Sequence, residues 1–283
     1  MKKFNFLIMI LLGIMLGLLI NGCSVLKNIS GTSGSPGNND QSDTASLGAD
    51  NSPLAQDSPQ YSEDIPVLYY HSVMVEPGNE LRIPPEQFAA QIKYLSEHDY
   101  HVISLDQLYQ FYCANGTLPK NPVVITFDDG YEDNYTNAYP VLEKYGYTAT
   151  VFAVTSYIGS KGYMSWDQLQ ELQDKGWQIE GHTLSHPYLV KDKLGSAEVK
   201  RELREAKNIL EKRLGRSVRF FAYPYGDYNA DIVQEVKEAG YLMAFTTERG
   251  WANKNNLMLE HRVYCFADMG IEEFARRLQN PQY

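Results

Sequence analysis

Two adjacent carboxylates, Asp128 and Asp129, follow an apolar run in the stretch Val123-Val-Ile-Thr-Phe-Asp-Asp-Gly130. Side chains of consecutive strand residues point in opposite directions, so the two carboxylates can serve different partners. One could bind a metal ion while its neighbour accepts a proton from an attacking water, which is the chemistry of metal-assisted hydrolysis. Asp-Gly after a strand is also an ordinary turn signal, so this motif alone leaves both interpretations open.

Two histidines four residues apart, His182 and His186, lie in the stretch His182-Thr-Leu-Ser-His186 after an apolar run at residues 177–179. Their spacing lets both imidazoles reach one ion if the segment is helical or forms a tight loop. Together with the Asp129 carboxylate they make a ligand set that suits Zn²⁺ or a similar divalent ion, with positions left for water and substrate. The alternative is a pair of structural or surface histidines, which explains most pairs with this spacing.

A third motif is the aromatic run Phe220-Phe-Ala-Tyr-Pro-Tyr-Gly226. It is consistent with an aromatic-rich strand followed by a turn. Its functional interpretation is a rigid lip at a strand end, with a backbone N–H facing the site and Tyr225 placed to stack on a sugar ring.

The three motifs lie in a chain of alternating strand and helix patterns that starts at residue 65. Because strands that alternate with helices pair in parallel, the pattern predicts an α/β domain, either a barrel or an open sheet. Both architectures place their sites at the carboxyl ends of the strands, where all three motifs fall. Ser-x-x-Gln capping boxes begin the second and third predicted helices. Strands are predicted at residues 65–70, 123–127, 148–154, 177–179, 218–222, 243–246 and 263–266, and helices at 85–98, 104–112, 165–174, 196–214, 230–239 and 271–278.

In this order, Thr-Phe-Asp-Asp-Gly, His-Thr-x-Ser-His and Pro-Tyr-Gly resemble the signature of the polysaccharide deacetylases, carbohydrate esterase family 4 with its NodB-homology domain. The stretches at residues 67–72 and 87–109 resemble the subgroup that acts on poly-N-acetylglucosamine of bacterial surfaces. The resemblance covers roughly residues 65–279. It implies a distorted (β/α) barrel of about seven parallel strands.

The resemblance also implies a role for each motif residue, in a metal-dependent hydrolase that removes N-acetyl groups and releases acetate. Asp128 would be the general base. Asp129, His182 and His186 would hold a divalent metal, with zinc as the expected ion. The backbone N–H of Tyr225 would help to hold the oxyanion.

This chain differs from the family pattern in the residues that would protonate the leaving amine. Ala222 stands where many members carry an arginine that pairs with the catalytic aspartate. Leu259-Glu-His261 matches the letters of the motif that supplies an acid in many members, but His71, at the end of the first strand, is a competing candidate. Both histidines are predicted as catalytic candidates, with a hydrogen-bonded structural role as the alternative. Trp166 is predicted in the sugar groove, with a core tryptophan as the alternative.

The first 22 residues predict export from the cytoplasm. Two lysines precede an apolar run, and small residues precede Cys23 in the order Ile20-Asn21-Gly22-Cys23. The ending resembles the bacterial lipoprotein cleavage box, which implies a lipid on the Cys23 sulfur; an uncleaved transmembrane anchor is the alternative. Small and polar residues dominate the next segment, which predicts a disordered tether over residues 23–64. The deacetylase domain is then predicted over residues 65–283, outside the cytoplasm and tied to the membrane.

Composition narrows the expected partners. The chain has 25 Lys and Arg against 35 Asp and Glu, a formal net charge of −10, and no clustered basic run, which argues against nucleic acid. The expected partner is instead a polysaccharide that contains N-acetylglucosamine, and the chain is expected to act as a monomer. Poly-N-acetylglucosamine, peptidoglycan and chitin fragments all present the same acetamide, so the sequence leaves the choice among them open.

Two other functions fit parts of the pattern. A non-catalytic sugar-binding lipoprotein could use the same scaffold, but a binder has no use for a base beside a metal. A glycosidase could use Asp128 and Asp129 as its carboxylate pair. It would need carboxyl groups about 5–9.5 Å apart that flank one bond, a geometry that suits neighbours on one strand poorly.

Overall fold

The computed structural model describes residues 63–283 of the chain. The predicted signal peptide at 1–22, the predicted lipidation site Cys23 and the predicted tether up to residue 62 lie outside the described residues. Within residues 63–283, no helix has the length and apolar character needed to cross a bilayer.

The domain is built on one sheet in which every strand pair is parallel. The strands are β1 (Val67–Tyr70), β2 (His101–Val102), β3 (Pro122–Asp129), β4 (Thr150–Ala153), β5 (Gln178–Gly181), β6 (Phe220–Ala222), β7 (Met243–Arg249) and β8 (Glu260–Tyr264). Seven of them close into a barrel, because β1 pairs with both β3 and β8. The short β2 extends the sheet beside the start of β3. The distorted (β/α) barrel implied by the resemblance is confirmed, and an open sheet is excluded.

Helices surround the barrel and follow the strands along the chain. They are α1 (Pro85–Glu97), α2 (Leu105–Cys113), α3 (Tyr139–Glu143), α4 (Trp166–Asp174), α5 (Ser196–Leu214), α6 (Ala230–Glu238) and α7 (Ile271–Arg277). Both predicted capping boxes are present, at Ser104 with Gln107 and at Ser165 with Gln168. The short α3, which continues a π-helical turn, was not predicted because five residues are too few to show a helical period.

The last strand differs from its prediction at residues 263–266. It begins three residues earlier, at Glu260, and ends at Tyr264. Glu260 and Arg262 are both buried, and the Arg262 guanidinium lies over the ring of Tyr69 on β1. Charged side chains therefore occupy positions where a buried strand usually has apolar residues. For this reason a search for apolar runs misses the first half of β8.

The core has two parts, one on each side of the barrel wall. A large cluster packs the helices against the strands and includes Leu68, Phe127 and Trp177. A second cluster includes Val124, Phe152 and Phe245, which come from three different barrel strands. Phe152 lies 5.7 Å from the Arg262 guanidinium, so this second cluster lies directly against the charged residues of the barrel.

Glu180 on β5 is a buried carboxyl with backbone partners. It accepts hydrogen bonds from the N–H groups of Arg219 and Phe220, at 2.7 and 2.8 Å. Burial raises its pKa from 4.5 to about 8, although the two backbone hydrogen bonds act in the opposite direction. Folding therefore favours the protonated form of Glu180.

Replacing Glu180 with glutamine should flatten the dependence of stability on pH. Between pH 4.5 and about 8, the folded state keeps a proton on Glu180 that the unfolded chain has released. The stabilisation that comes from the raised pKa is therefore complete below pH 4.5 and is lost as the pH rises to about 8. The free energy of unfolding of the wild type should fall more steeply over this range than that of Glu180→Gln. Urea unfolding at several pH values measures both slopes, and parallel curves would contradict the prediction.

Candidate active site

The carboxyl ends of the barrel strands open into a cleft of about 310 Å³. The side chains around it come from the carboxyl ends of β1, β3, β5, β7 and β8, from the turn after β6 and, in Leu81, from the loop before α1. A barrel gathers these ends at one face because all its strands run in the same direction. Six predicted site residues line the cleft: His71, Asp128, Asp129, His182, His186 and Tyr225.

Three of these side chains converge on one point. Asp129 Oδ1 lies 3.3 Å from His182 Nε2 and 3.2 Å from His186 Nε2, and the two Nε2 atoms are 3.2 Å apart. Around an ion with ligand bonds of about 2.0–2.1 Å, tetrahedral ligand atoms lie about 3.4 Å from one another. The three atoms therefore have the mutual spacing of ligands to one divalent ion, and their types, one carboxylate and two imidazoles, fit it as well.

Neighbouring groups orient both imidazoles towards that point. His182 Nδ1 is 2.7 Å from the carbonyl oxygen of Ala222, so it carries the proton and donates it, which leaves the Nε2 lone pair free to bind an ion. His186 Nδ1 is 3.0 Å from the Tyr225 hydroxyl, which holds the orientation of the second ring; a hydroxyl can donate or accept, so this contact does not by itself set the tautomer. The end of β6 and the turn after it thus act on the site, through the Ala222 carbonyl and the Tyr225 phenol respectively.

Asp128 is held by an arginine that the sequence analysis did not identify. Arg262 Nη1 and Nη2 donate to Asp128 Oδ1 and Oδ2, each at 2.7 Å, and both side chains are buried. Ala222 stands where many members of the family resembled carry the arginine that pairs with this aspartate, but here Arg262 on β8 is the partner instead. No pattern in the sequence indicated this pair, because the last strand was predicted to begin at Val263 and left Arg262 outside it.

The two aspartates remain ionised for different reasons. Burial by itself would raise the pKa of Asp128, but the charge and hydrogen bonds of Arg262 outweigh burial and lower it. For Asp129, hydrogen bonds with His182 and His186 outweigh the effect of burial and hold the pKa well below its usual value. Both groups are therefore carboxylates at neutral pH.

The two candidate acids lie in different surroundings. His71 lines the cleft, and its buried Nδ1 has no hydrogen-bond partner among residues 63–283. His261 does not line the cleft; its Nε2 is 3.1 Å from Glu248 Oε2, and its side chain is 41% exposed. Neighbouring strand side chains alternate in direction, so with Arg262 pointing into the barrel His261 points out.

The two predicted substrate contacts, Tyr225 and Trp166, lie in different parts of the domain. Tyr225 has the left-handed backbone angles φ 59° and ψ 7°, is 49% exposed, and stacks on Tyr188 with ring centroids 3.8 Å apart. Trp166 is the first residue of α4, where it packs against the core cluster and contacts Arg213. The structure brings Tyr225 to the cleft but not Trp166, which is half-buried and packs against the outside of the core cluster.

Comparison with known proteins agrees with this fold and site. The family model for polysaccharide deacetylases matches residues 115–244. The poly-beta-1,6-N-acetyl-D-glucosamine N-deacetylase of Staphylococcus aureus (strain MRSA252) is 32% identical over 201 residues, 67% of this chain and 69% of the relative. YxkH of Bacillus subtilis (strain 168) is 33% identical over 217 residues, 76% of each chain. The chain belongs to the polysaccharide deacetylase family.

Solved structures show the same fold over most of the described domain. The deacetylase PplD of Streptococcus pyogenes, in complex with acetate, has a TM-score of 0.72 at 28% identity and covers 77% of this chain and 99% of its own. IcaB from Ammonifex degensii has a TM-score of 0.66 at 23% identity, with coverages of 78% and 98%, and supports the fold. This chain is therefore an enzyme of the deacetylase type.

Replacing Arg262 with methionine should lower the free energy of unfolding by about 3–5 kcal/mol, because the Asp128 carboxylate stays buried without its countercharge. Adding Asp128→Asn removes that charge, so the double variant should be more stable than Arg262→Met alone. Urea unfolding of the wild type, both single variants and the double variant measures the coupling. Equal stability of the double variant and Arg262→Met would show that the ion pair is not the cause.

Proposed function

We propose that this chain is a metal-dependent hydrolase that removes N-acetyl groups from N-acetylglucosamine units of a cell-surface polysaccharide and releases acetate. The observation that carries the proposal is a cleft in which three converging metal-ligand atoms lie beside a separately held carboxylate. Two comparisons support it: the staphylococcal relative is an N-deacetylase of poly-β-1,6-N-acetylglucosamine, and the streptococcal deacetylase holds acetate. A non-catalytic binder would not need the buried pair of Asp128 and Arg262.

The metal would be held by Asp129 Oδ1 and the Nε2 atoms of His182 and His186. Zinc is the expected ion because one carboxylate and two imidazoles suit it. When bound, it would act as a Lewis acid towards the amide carbonyl and the attacking water.

Asp128 would act as the general base. Arg262 fixes the plane of its carboxylate with two hydrogen bonds, yet each oxygen keeps a further acceptor site for a proton from water. The lowered pKa keeps this base in its ionised form. General base assistance of this kind typically contributes about 10²–10⁴ in rate.

His71 is the candidate acid that lies in the cleft. Burial lowers its pKa, although the charges of Asp128 and Asp129 oppose this effect. The lowered pKa leaves the ring neutral at rest, so to serve as the acid His71 would first take up a proton, such as the one that Asp128 removes from the water. It would then pass that proton to the departing amine as the carbon–nitrogen bond breaks. The backbone N–H of Tyr225, at the turn that reaches the cleft, would help to hold the oxyanion.

The purified protein should release acetate from at least one of poly-N-acetylglucosamine, peptidoglycan and chitin fragments, without shortening the chain. A chelator should abolish this release, and added zinc should restore it. Chain shortening without acetate would identify a glycosidase and overturn the proposal. The relative rates on the three polymers would identify the substrate.

Two variants separate the roles within the site. Asp128→Asn should lower kcat by about 10²–10⁴-fold while its zinc content, measured by atomic absorption, stays that of the wild type. His182→Ala should lose the zinc itself. Loss of zinc from Asp128→Asn instead would mean that the two aspartates have exchanged roles.

We infer that the protein is an exported lipoprotein whose domain is tied to the outer face of the membrane through Cys23. The order of lysines, apolar run and small residues before Cys23 supports this. In cells fed labelled palmitate, the wild type should carry the label, and Cys23→Ala should lack it and migrate as a longer precursor. A wild type without label would favour the uncleaved anchor.

A further inference from the structure

Glu202 on α5 holds the loop between the two histidines. Its Oε2 accepts hydrogen bonds from the backbone N–H groups of Leu184 and Ser185, at 3.0 and 2.8 Å, and its Oε1 accepts one from the Ser185 hydroxyl at 2.8 Å. The carboxylate is buried, with 1% exposure, and Arg201 lies 3.3 Å away. One carboxylate thus receives three hydrogen bonds from two consecutive loop residues.

The loop needs such support because its backbone is strained at both ends. Thr183 and His186 have φ angles of 64° and 63°, in the left-handed region that a β-branched residue rarely adopts. Strain of this kind costs about 1–3 kcal/mol for each residue and persists only where surrounding contacts impose it.

The hydrogen bonds of the loop backbone show where those contacts come from. Two loop carbonyl groups, at residues 183 and 184, accept from the N–H groups of Thr155 and Ser156, and the His186 N–H donates to the Thr183 hydroxyl. The N–H groups of residues 184 and 185 donate to Glu202. A charged acceptor makes these bonds stronger than neutral ones, and without it two partly buried donors would be left unsatisfied.

We propose that Glu202 is a positioning residue for the metal centre, which sets the separation of His182 and His186 by holding Leu184 and Ser185, two of the three residues between them. The inference rests on the proposed function, because it takes the two histidines to be metal ligands. Glu202 does not touch the ligand atoms; it acts through the loop backbone. Outer groups that orient metal ligands typically contribute a factor of about 10–100 to metal affinity.

If Glu202 positions the loop between the two histidines, replacing it should lower the affinity of the protein for zinc. Glu202→Gln keeps the shape of the side chain but turns an amide N–H₂ towards a loop donor, so it should raise the zinc dissociation constant by about 10–100-fold. Competition with a chromophoric chelator measures this constant without any assay of turnover. Glu205→Gln, on the exposed side of the same helix, is the matched control and should bind zinc like the wild type.

Two further measurements keep the outcome interpretable. Near-ultraviolet circular dichroism of the zinc-free proteins should show that Glu202→Gln remains folded, and Glu202→Asp, which keeps the charge on a shorter side chain, should weaken zinc binding less. Wild-type zinc affinity in Glu202→Gln, with zinc lost in His182→Ala, would overturn the role of Glu202 and leave the metal centre intact. Zinc binding that survives His182→Ala would instead overturn the metal centre.

Discussion

The buried ion pair between Asp128 and Arg262 is the constraint on which the site depends. Both charges lie inside a barrel whose apolar residues cannot solvate them, so each is costly to bury without the other. Arg262 offsets part of that cost with further contacts to the Thr246 carbonyl, the Thr126 hydroxyl and the Tyr69 ring. The same contacts fix the guanidinium, and through it the plane of the Asp128 carboxylate. A group placed this firmly can stay ionised and oriented in a buried site.

The three converging side chains beside it, those of Asp129, His182 and His186, are positioned in a different way. Asp129 follows Asp128 on β3 and has a positive φ of 71°, so the chain turns sharply where the strand ends and the second carboxylate faces the two histidines. Those histidines lie on a strained loop after β5. The ring of His182 is held by the Ala222 carbonyl, and that of His186 by the Tyr225 hydroxyl. The barrel therefore places the strand ends together, and neighbouring loops orient the donor atoms.

Functional demands explain where the fold departs from simple patterns. Charged side chains at the inward positions of β8 hide that strand from an analysis of apolar periodicity. Left-handed backbone at Asp129, Thr183, His186 and Tyr225 clusters around one cleft. Such strain and buried charge oppose stability, and the two large apolar clusters on either side of the barrel wall offset them.

The sequence by itself determined the alternation of strands and helices, the two capping boxes, and the motif residues at the carboxyl ends of β3, β5 and β6, because these depend on local spacing and on the common direction of parallel strands. Closure of the barrel was decided by the pairing of β1 with β8, a contact between the two ends of the domain. Arg262 and Asp128 are 134 residues apart, so no local pattern joins them. Which of the two candidate acids reaches the cleft was likewise decided by the tertiary structure: His71 follows β1 into the cleft, whereas His261 lies on the outward side of β8.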